Sequence, residues 1–214
     1  MIAKIFPMNM NKLKIDFSGV LFSTVRRLTS CLSRTCWSLI VKLSLKLRGI
    51  SYGQACIFYG LSHFRRYYNS KIDIGHDCRF RSSFLSNYIG LNRRCLIATH
   101  AENSEIIIGH NVGFSGTVIG AAEKITIGNN VLCGGNTLIT DFDWHPVKRN
   151  GTNNKIYSAP ISIEDNVWLG VNVVVLKGVT IGKRTVIGAN SVVTKSIPGD
   201  VIAAGNPCKV IKYL

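Results

Sequence analysis

The stretch TDFDWHPVKRNG, residues 140–151, concentrates side chains suited to acid–base chemistry. It holds two carboxylates, Asp141 and Asp143, together with an indole, the imidazole of His145 and two cations. An imidazole with an unperturbed pKa of about 6.5 is largely neutral at cellular pH and is suited to act as a general base. Pro146 restricts the backbone of His145 toward an extended conformation, which favours one defined presentation of the ring.

The chain around this stretch is an internal repeat of six residues. From Ile163 it reads IEDNVW, LGVNVV, VLKGVT, IGKRTV, IGANSV and VTKSIP, and further units begin at Ile127, Ile108, Ile89 and Ile74. Larger repeats start 18 or 19 residues apart, so three units return the chain one strand spacing above its start. This periodicity predicts a triangular parallel β-helix, with the first aliphatic residue of each unit pointing inward. Glycine at the second position suits a corner where a Cβ would crowd or φ must be positive.

The N-terminal part has a different pattern. Residues 18–48 carry apolar or small residues at helical spacing (21, 25, 28, 32, 36, 39 and 43), with Ser18 as a cap and Gly49 as a stop. Six Lys and Arg residues interrupt them, too many for a membrane span. Two interpretations remain open: one or two helices that pack on the main domain or on another subunit, or an amphipathic basic segment on an anionic bilayer.

We therefore predict two parts. Residues 1–50 form a basic N-terminal helical segment, and residues 51–214 form the β-helix domain. Within that domain, residues 140–160 form an inserted loop and residues 199–214 form a C-terminal tail.

Charge is unevenly distributed along the chain. The net charge is +15, and the first 94 positions hold 16 Lys and Arg against 3 Asp and Glu, while the remaining 120 hold 10 against 8. This bias indicates an anionic partner such as a membrane surface or an acidic glycan. No helix-turn-helix, RNA-recognition or zinc pattern accompanies it, which argues against nucleic-acid binding. Seven scattered cysteines without a C-x-x-C pair, and no evident signal peptide, favour a cytoplasmic protein with reduced thiols and no metal site.

The segments ITIGNNVLCGGNTLITDFDWHPV and APISIEDNVWLGVNVVVLKGVTIGKRTVIGANSVVTKSIPGDVIAAGNPCKVIK resemble the hexapeptide-repeat acyltransferases, in particular the galactoside, maltose and nodulation-type sugar O-acetyltransferases. The coils of that family are left-handed, whereas the general rule for parallel crossovers predicts right-handed ones. The resemblance is tightest from Ile125 to Leu214, looser over residues 51–124 and absent from residues 1–50. It implies an all-β fold: a left-handed parallel β-helix with an N-terminal helical segment and an inserted catalytic loop.

The resemblance also implies an enzyme that uses acetyl-CoA. It makes His145 the general base. A histidine base also needs its second ring nitrogen oriented, and Asp141, Asp143 and a backbone carbonyl are the candidates for that role, with Asp143 slightly preferred. The backbone N–H of Val171 corresponds to the donor that faces the oxyanion of the tetrahedral intermediate. Trp168 and Gly170 precede it in the W-x-G segment beside the reaction centre.

A further set of residues matches the family's coenzyme A contacts. The set is Ala189, Thr194, Lys195, Lys209 and Lys212. The galactoside enzymes have arginine at the last two positions. Lysine keeps the charge at the phosphates but loses the bidentate geometry of a guanidinium.

The acceptor differs from that of the galactoside enzymes, because Phe114 and Ala122 stand where polar side chains hold the sugar in that family. Phe114 either stacks on a sugar or fills the coil interior. We predict a homotrimeric O-acetyltransferase with active sites between subunits, acting on a sugar hydroxyl of a surface polysaccharide precursor, such as a lipid-linked glycan at the inner face of the plasma membrane. Residues 18–48 would supply peripheral membrane contact. The alternatives are an amino-sugar N-acetyltransferase, a zinc enzyme of the γ-class carbonic anhydrase type and a non-catalytic scaffold.

Overall fold

The computed structural model describes residues 17–146 and 156–214, which belong to two compact units, residues 1–33 and 34–214. Helix α1, Phe17–Leu47, begins in the first unit and ends in the second. In the first unit Val20, Leu21, Phe22 and Val25 are exposed. None of the helices in the described ranges combines the length and the apolar character that a membrane crossing requires.

In the second unit, the last turns of α1 contribute to the hydrophobic core. Val41 and Leu45 are buried, and the hydroxyl of Ser38 accepts a hydrogen bond of 3.0 Å from the backbone N–H of Phe58. The predicted apolar row is therefore wrong in its register: Leu39 and Leu43 are exposed, and the neighbouring row packs inward. A helix with apolar residues on several faces does not specify from sequence which face meets the core.

The predicted stop of the helix is confirmed. Gly49 adopts a φ of 63°, and the N–H of Ile50 donates to the carbonyl of Leu45. This is the left-handed glycine termination that satisfies the last carbonyls of a helix.

Strands and one short 3₁₀ helix follow α1. In chain order they are β1 (Ser51–Tyr52), β2 (Ile57–Tyr59), β3 (His63–Arg65), β4 (Lys71–Ile74), β5 (Arg79–Arg81), the 3₁₀ helix η1 (Phe84–Ser86), β6 (Leu96–Thr99), β7 (Glu105–Ile108), β8 (Gly113–Ser115), β9 (Val118–Ala121), β10 (Lys124–Ile127), β11 (Leu132–Gly135), β12 (Leu138–Thr140), β13 (Ile161–Ile163), β14 (Trp168–Leu169), β15 (Val174–Val175), β16 (Thr180–Ile181), β17 (Val186–Ile187), β18 (Val192–Val193), β19 (Val201–Gly205) and β20 (Cys208–Tyr213).

These strands form three sheets, in which all neighbours are parallel except the last pair, β19 and β20. Sheet 1 has the order β1-β4-β7-β10-β13-β16, sheet 2 has the order β2-β5-β8-β11-β14-β17-β19-β20, and sheet 3 has the order β18-β15-β12-β9-β6-β3. Successive strands pass from sheet 1 to sheet 2 to sheet 3, so each coil is a triangle and each strand pairs with its equivalent in the next coil. The fold is the predicted left-handed parallel β-helix of hexapeptide repeats. We number the coils by their strand in sheet 2, from β2 in coil 1 to β19 in coil 7.

Identical side chains stack inside the coils, as the repeat predicts. The first residues of the predicted units, Ile74, Ile108, Ile127, Ile163 and Ile181, are all buried at 2% exposure or less. The stack turns aromatic in the first coils. Phe80 lies between Phe58 and Phe114, with ring centroids 4.9 Å apart on both sides. Phe114 therefore fills the coil interior, the second of the two roles predicted for it.

The glycines at the second position are required by crowding. A Cβ on Gly109 would lie 2.7 Å from backbone atoms of Gly128 in the next coil. The positive φ falls two residues later and is carried by asparagine, for example Asn111 and Asn130. Asparagine tolerates the left-handed conformation better than most residues with a side chain.

One predicted repeat unit is wrong. Ile89 is 57% exposed and lies in an insertion, residues 83–94, that includes η1 and connects sheet 2 to sheet 3 in coil 2. The insertion folds along the adjacent corners: the N–H of Asn92 donates to the side-chain oxygen of Asn136, whose amide donates to the carbonyl of Gly90. Its IG dipeptide imitates the repeat in sequence, but no inward-facing position accommodates the isoleucine.

The C-terminal residues complete sheet 2. Strand β20 runs antiparallel to β19, and its register places Lys209 opposite Ala204 and Lys212 opposite Ile202. Most of the predicted tail, residues 199–214, is therefore a hairpin on the last coil.

Candidate active site

The loop that interrupts the repeat leaves sheet 3 after β12 and returns to sheet 1 at β13. Its two ends form a short antiparallel stem: the N–H of Ala159 donates to the carbonyl of Asp141, and the N–H of Asp143 donates to that of Tyr157. Phe142 and Ser158 are bridge partners between these bonds. Lys148 and Arg149 lie outside the described residues. The stem holds the start of the loop in a defined position at the corner between sheet 3 and sheet 1.

Asp141 anchors this loop to the coil below. Its side chain is fully buried, and its two carboxylate oxygens accept hydrogen bonds from the backbone N–H groups of Ala122 (2.7 Å) and Glu123 (2.9 Å). Burial raises the pKa of Asp141, and the backbone hydrogen bonds oppose that shift. The carboxylate is therefore committed to the corner residues 122–123.

Asp143 connects the loop to the coil above. Its Oδ1 lies 2.5 Å from Nζ of Lys177, which follows β15. His145 is exposed, and no hydrogen bond joins it to any of residues 17–146 and 156–214. The roles of His145 as base and of Asp143 as orienting group stay predictions, since the structure shows the position of both but no contact between them.

An aromatic cluster that the sequence analysis did not identify lies under the loop. The ring of His100 contacts Phe142 (centroids 5.2 Å apart) and Trp144 (5.0 Å), and these two rings lie 4.6 Å from each other. A Cβ on Gly120 would meet Trp144 at 3.2 Å, so this glycine makes room for the indole on the outer face of sheet 3. His100 follows β6, two coils before the coil from which the loop leaves, and 42 residues separate it from Phe142 along the chain. No local sequence pattern therefore reveals the cluster.

Among the described residues, His100 has the one buried side-chain nitrogen or oxygen atom that lacks a hydrogen-bond partner. The atom concerned is Nε2. Burial lowers the pKa of His100, and the nearby charge of Arg65 lowers it further. Burial against the loop therefore favours the uncharged form of the ring.

The predicted oxyanion donor lies at the corner between sheet 2 and sheet 3. The N–H of Gly170 donates to Ile187 and that of Asn172 donates to Gly135, whereas the N–H of Val171 between them donates to none of the described residues. The same is true of Ala189 one coil above, where Gly188 and Asn190 are the donating neighbours. Two unused backbone donors thus follow one another along this corner, about 4.8 Å apart.

Gly170 is required for this arrangement. A Cβ at this position would lie 2.6 Å from the backbone nitrogen of Ala189. Trp168 is 55% exposed on the outer face of sheet 2 beside the same corner. Lys212 pairs with Ile202, which continues the column of Trp168, and Lys209 pairs with Ala204, which continues the column of Gly170.

The predicted site residues thus fall into two groups. The amide-side group lies on sheet 2 and its corner with sheet 3; it consists of Trp168, Gly170, Val171, Ala189, Lys209 and Lys212. The histidine-side group lies at the corner between sheet 3 and sheet 1; it consists of Asp143, His145, Thr194 and Lys195. One side of the triangular coil separates the groups, and no hydrogen bond or ion pair among the described residues joins them.

Two other predictions concern the residues that would bind the acceptor sugar and the absence of a metal site. Ala122 gives its N–H to Asp141 and presents no polar side chain. In the described ranges, no three His, Cys, Asp or Glu side chains are grouped as a metal ion requires; His76 and His110 stack on each other at 3.6 Å.

Comparison with known proteins agrees with this architecture. Residues 160–195 match the family model "Bacterial transferase hexapeptide (six repeats)". The chain is 46% identical over 114 residues to a galactoside O-acetyltransferase of Escherichia coli strain K12, covering 52% of this chain and 55% of that protein. It is 38% identical over 142 residues to a galactoside O-acetyltransferase of Lactococcus lactis, covering 64% of this chain and 61% of that protein. The chain thus spans little more than half the length of these relatives.

Among solved structures, an N-acyltransferase from Bacillus cereus in complex with dTDP-4-amino-4,6-dideoxyglucose and coenzyme A superimposes with a TM-score of 0.61. The match covers 80% of this chain and 88% of that one at 18% identity, so it supports the fold. The chain therefore folds as a left-handed parallel β-helix, its residues 160–195 match the hexapeptide transferase model, and its sequence resembles that of the galactoside O-acetyltransferases.

Proposed function

We propose that this protein is an acetyl-CoA-dependent O-acetyltransferase that transfers an acetyl group directly to a sugar hydroxyl. The observation that carries the proposal is the unused N–H of Val171, at the position where the galactoside enzymes have the oxyanion donor. The chain is similar to such enzymes, with 46% identity over 114 residues to the relative from Escherichia coli.

In the proposed reaction, the acceptor hydroxyl attacks the thioester carbonyl while His145 removes its proton. The negative charge that develops on the carbonyl oxygen receives the hydrogen bond of the Val171 N–H. Collapse of the intermediate breaks the carbon–sulfur bond, and the coenzyme A thiolate takes the proton from His145. No acyl-enzyme forms, so no cysteine is needed as a nucleophile.

The amide-side group is suited to hold the long cofactor. The pantetheine arm contains amide carbonyls that can accept the free N–H of Ala189, one coil above Val171. Exposed lysines continue the same face toward the C-terminal end of the β-helix, Lys209 and Lys212 on β20. Ammonium groups there would bind the phosphates of coenzyme A. Thr194 and Lys195 would contact it from the histidine side.

Because one side of the coil separates the two groups, a complete site requires a second copy of the chain. The outer surfaces support this. Sheet 1 is charged, with Lys71 near Asp73 and Lys124 bound to Glu105. Sheets 2 and 3 instead carry apolar stripes, which include Leu132 and Trp168 (each 55% exposed) and Leu96 (40%). We propose a homotrimer in which the amide-side group of one subunit faces the histidine-side group of the next.

Subunit complementation tests this arrangement. His145→Ala removes the base, and Val171→Pro removes the N–H; each homotrimer should be inactive. Mixed trimers, formed by refolding both chains together, should regain activity, because some interfaces pair an intact His145 with an intact Val171. If Val171→Pro does not fold, Trp168→Ala replaces it. Mixtures as inactive as their parents would show that the site lies within one chain.

The activity itself is tested by following coenzyme A release with a thiol reagent, using acetyl-CoA and candidate sugars. His145→Ala should lower the rate at least about 100-fold, the usual contribution of a general base. The matched control is His76→Ala, an exposed histidine at the corner between sheet 1 and sheet 2. Release that persists in His145→Ala would exclude His145 as the base, and no release with any acceptor would favour a scaffold.

The second candidate function is transfer of the acetyl group to a nitrogen instead of an oxygen, because the structural neighbour from Bacillus cereus is an N-acyltransferase. An O-acetyl ester is hydrolysed by mild alkali, whereas an N-acetyl amide survives it. Mass spectrometry of the product before and after alkali treatment therefore decides between a hydroxyl and an amino sugar. A surface polysaccharide precursor remains our proposed acceptor.

We also propose that α1 contacts the inner face of the plasma membrane. The helix contains no acidic residue, and in the first unit its exposed Phe22 and Leu21 accompany Arg26 and Arg27. Such a helix binds anionic lipid surfaces by apolar burial and charge. Vesicles with phosphatidylglycerol should sediment the protein, and Arg26→Glu/Arg27→Glu should abolish this. Equal binding to pure phosphatidylcholine vesicles would contradict the proposal.

A further inference from the structure

The outer face of sheet 2 and its corner with sheet 3 have an unusual charge pattern. The residues concerned are 57–62, 79–95, 113–117, 132–137, 168–173, 186–191 and 201–213, and they include no Asp or Glu. Their cations occur at the two ends only. Lys209 and Lys212 lie at the last coil, and Arg79, Arg81, Arg93 and Arg94 lie at coil 2. The end with the two lysines, which we call the lysine end, faces the proposed cofactor. The end with the four arginines, which we call the arginine end, has no assigned role.

The arginine end contains a cavity of about 250 Å³. It is lined by Trp37, Gly60, Leu61, Ser82, Ser83, Phe84 and Arg94. Phe84 is 68% exposed, and it belongs to η1 in the insertion that departs from the repeat. Two aromatic rings, small residues and a single cation are the composition expected of a site for a ligand with apolar faces and an anionic group.

No carboxylate within residues 17–146 and 156–214 neutralises the cations at this end. Neither Arg94 nor Arg81 forms an ion pair with a carboxylate of the described residues. A guanidinium nitrogen of Arg94 lies 3.4 Å from Nε2 of His63, and Arg81 lies over the ring of Tyr59 at 5.3 Å. These contacts hold the guanidinium groups in place while leaving their charge uncompensated, so an anionic ligand would gain charge-assisted hydrogen bonds.

The cavity is too far from the proposed reaction centre for a single sugar to fill both. Ser82 and Ser83 belong to coil 2, whereas Val171 belongs to coil 5 on the same corner. Three strand spacings of about 4.8 Å separate them, roughly 14 Å. An acceptor that occupies the cavity and presents a hydroxyl near Val171 must therefore be a chain of several sugars.

We infer that the cavity around Trp37, Phe84 and Arg94 binds a segment of an anionic saccharide chain, remote from the hydroxyl that is acetylated. This inference rests on the proposed function for the identity of the chain as acceptor. Sugar faces, which are rich in C–H groups, lie against the two aromatic rings. A carboxylate or phosphate of the chain accepts hydrogen bonds from Arg94.

Direct binding tests this without acetyl transfer. Calorimetry on the full-length protein, in the absence of acetyl-CoA, compares hexagalacturonate, a carboxylated chain, with maltohexaose, an uncharged chain of equal length. Hexagalacturonate should bind at least about tenfold more tightly and should weaken as salt is raised. Arg94→Gln should weaken its binding about tenfold, while Lys71→Gln, which removes one positive charge from sheet 1, should not.

The aromatic part of the site has its own matched pair. Phe84→Ala should weaken the binding of both saccharides, whereas Leu85→Ala, a neighbour in η1 that is 59% exposed and does not line the cavity, should leave it unchanged. Because Phe84 and Leu85 are both exposed, these variants should fold like the wild type.

Three results would overturn the inference: equal affinity for the two saccharides, unchanged binding in Arg94→Gln, or equal effects of Phe84→Ala and Leu85→Ala. A lipid surface would be the ligand if Arg94→Gln instead lowered binding to phosphatidylglycerol vesicles and spared hexagalacturonate. Failure of the proposed function is distinct, since it would appear as absent coenzyme A release with saccharide binding intact.

Discussion

The carboxylate of Asp143 is bound to the ammonium group of Lys177 at 2.5 Å, and this ion pair joins the interrupting loop to the coil above it. On the other side of the stem, Asp141 binds the backbone of the coil below. The two carboxylates of the loop therefore connect it to the coils above and below. His145 follows two residues after Asp143.

Lys177→Met should lower kcat for acetyl transfer about tenfold, because a loose loop misplaces the imidazole. Asp143→Asn should have a similar effect, and the double variant should be no worse than either single one, since both remove the same contact. The melting temperature should change little, because the pair is partly exposed and such pairs contribute at most about 1 kcal/mol.

The control for this prediction is Lys124→Met, which breaks the comparable pair with Glu105 at 2.8 Å on sheet 1, away from the loop. It should leave kcat unchanged. Full activity of Lys177→Met would mean that the ion pair does not position the loop.

Asp141→Asn should destabilise the protein by about 1–3 kcal/mol in urea unfolding. The introduced amide presents a donor where the backbone N–H groups of Ala122 and Glu123 need acceptors, so one buried donor loses its partner. Asp143→Asn, at a partly exposed carboxylate, should cost less than about 1 kcal/mol. Equal losses in the two variants would contradict the anchoring role of Asp141.

His100→Phe should change the pH dependence of stability. Because burial lowers the pKa of His100 below its ordinary value, the neutral ring contributes fully above about pH 6.5. This contribution is lost as the pH falls through the lowered pKa, since the unfolded chain then binds the proton more readily. Phenylalanine does not titrate, so the stability of His100→Phe relative to the wild type should rise from pH 8 to pH 5.

Urea unfolding at the two pH values measures this difference. A difference between His100→Phe and the wild type that is independent of pH would show that the ring of His100 is protonated as easily in the folded protein as in the unfolded one.

Gly170→Ala should destabilise the protein by about 1–3 kcal/mol and lower kcat, because its Cβ would lie 2.6 Å from the Ala189 nitrogen and would displace the adjacent N–H of Val171. Gly113→Ala is the matched control on the same face of sheet 2. There the nearest atom is the end of the flexible, exposed Leu132 side chain, at 3.1 Å. If both substitutions are tolerated equally, the close packing of this corner does not matter for the site.

The repeat and the site residues were predictable to different degrees. Stacked aliphatic positions such as Ile127 and Ile163 could be identified from sequence, because inward-facing residues recur at a fixed interval along each coil. Ile89 shows the limit of this argument: an IG dipeptide at the right spacing lies in an insertion on the surface. Periodicity identifies a pattern, whereas burial depends on whether the chain reaches the interior at that point.

By itself, the sequence determined the hexapeptide β-helix, the interruption after β12 and the chemical types of the candidate site residues. Tertiary structure decided which of these residues meet. Only the stacking of coils places Asp141 against Ala122, Asp143 against Lys177 and His100 under Trp144, because these contacts join coils that are far apart along the chain. The tertiary structure also placed His145 and Val171 on opposite sides of sheet 3. A linear motif cannot express this separation, because a motif orders residues along the chain, whereas the coil distributes them around a triangle.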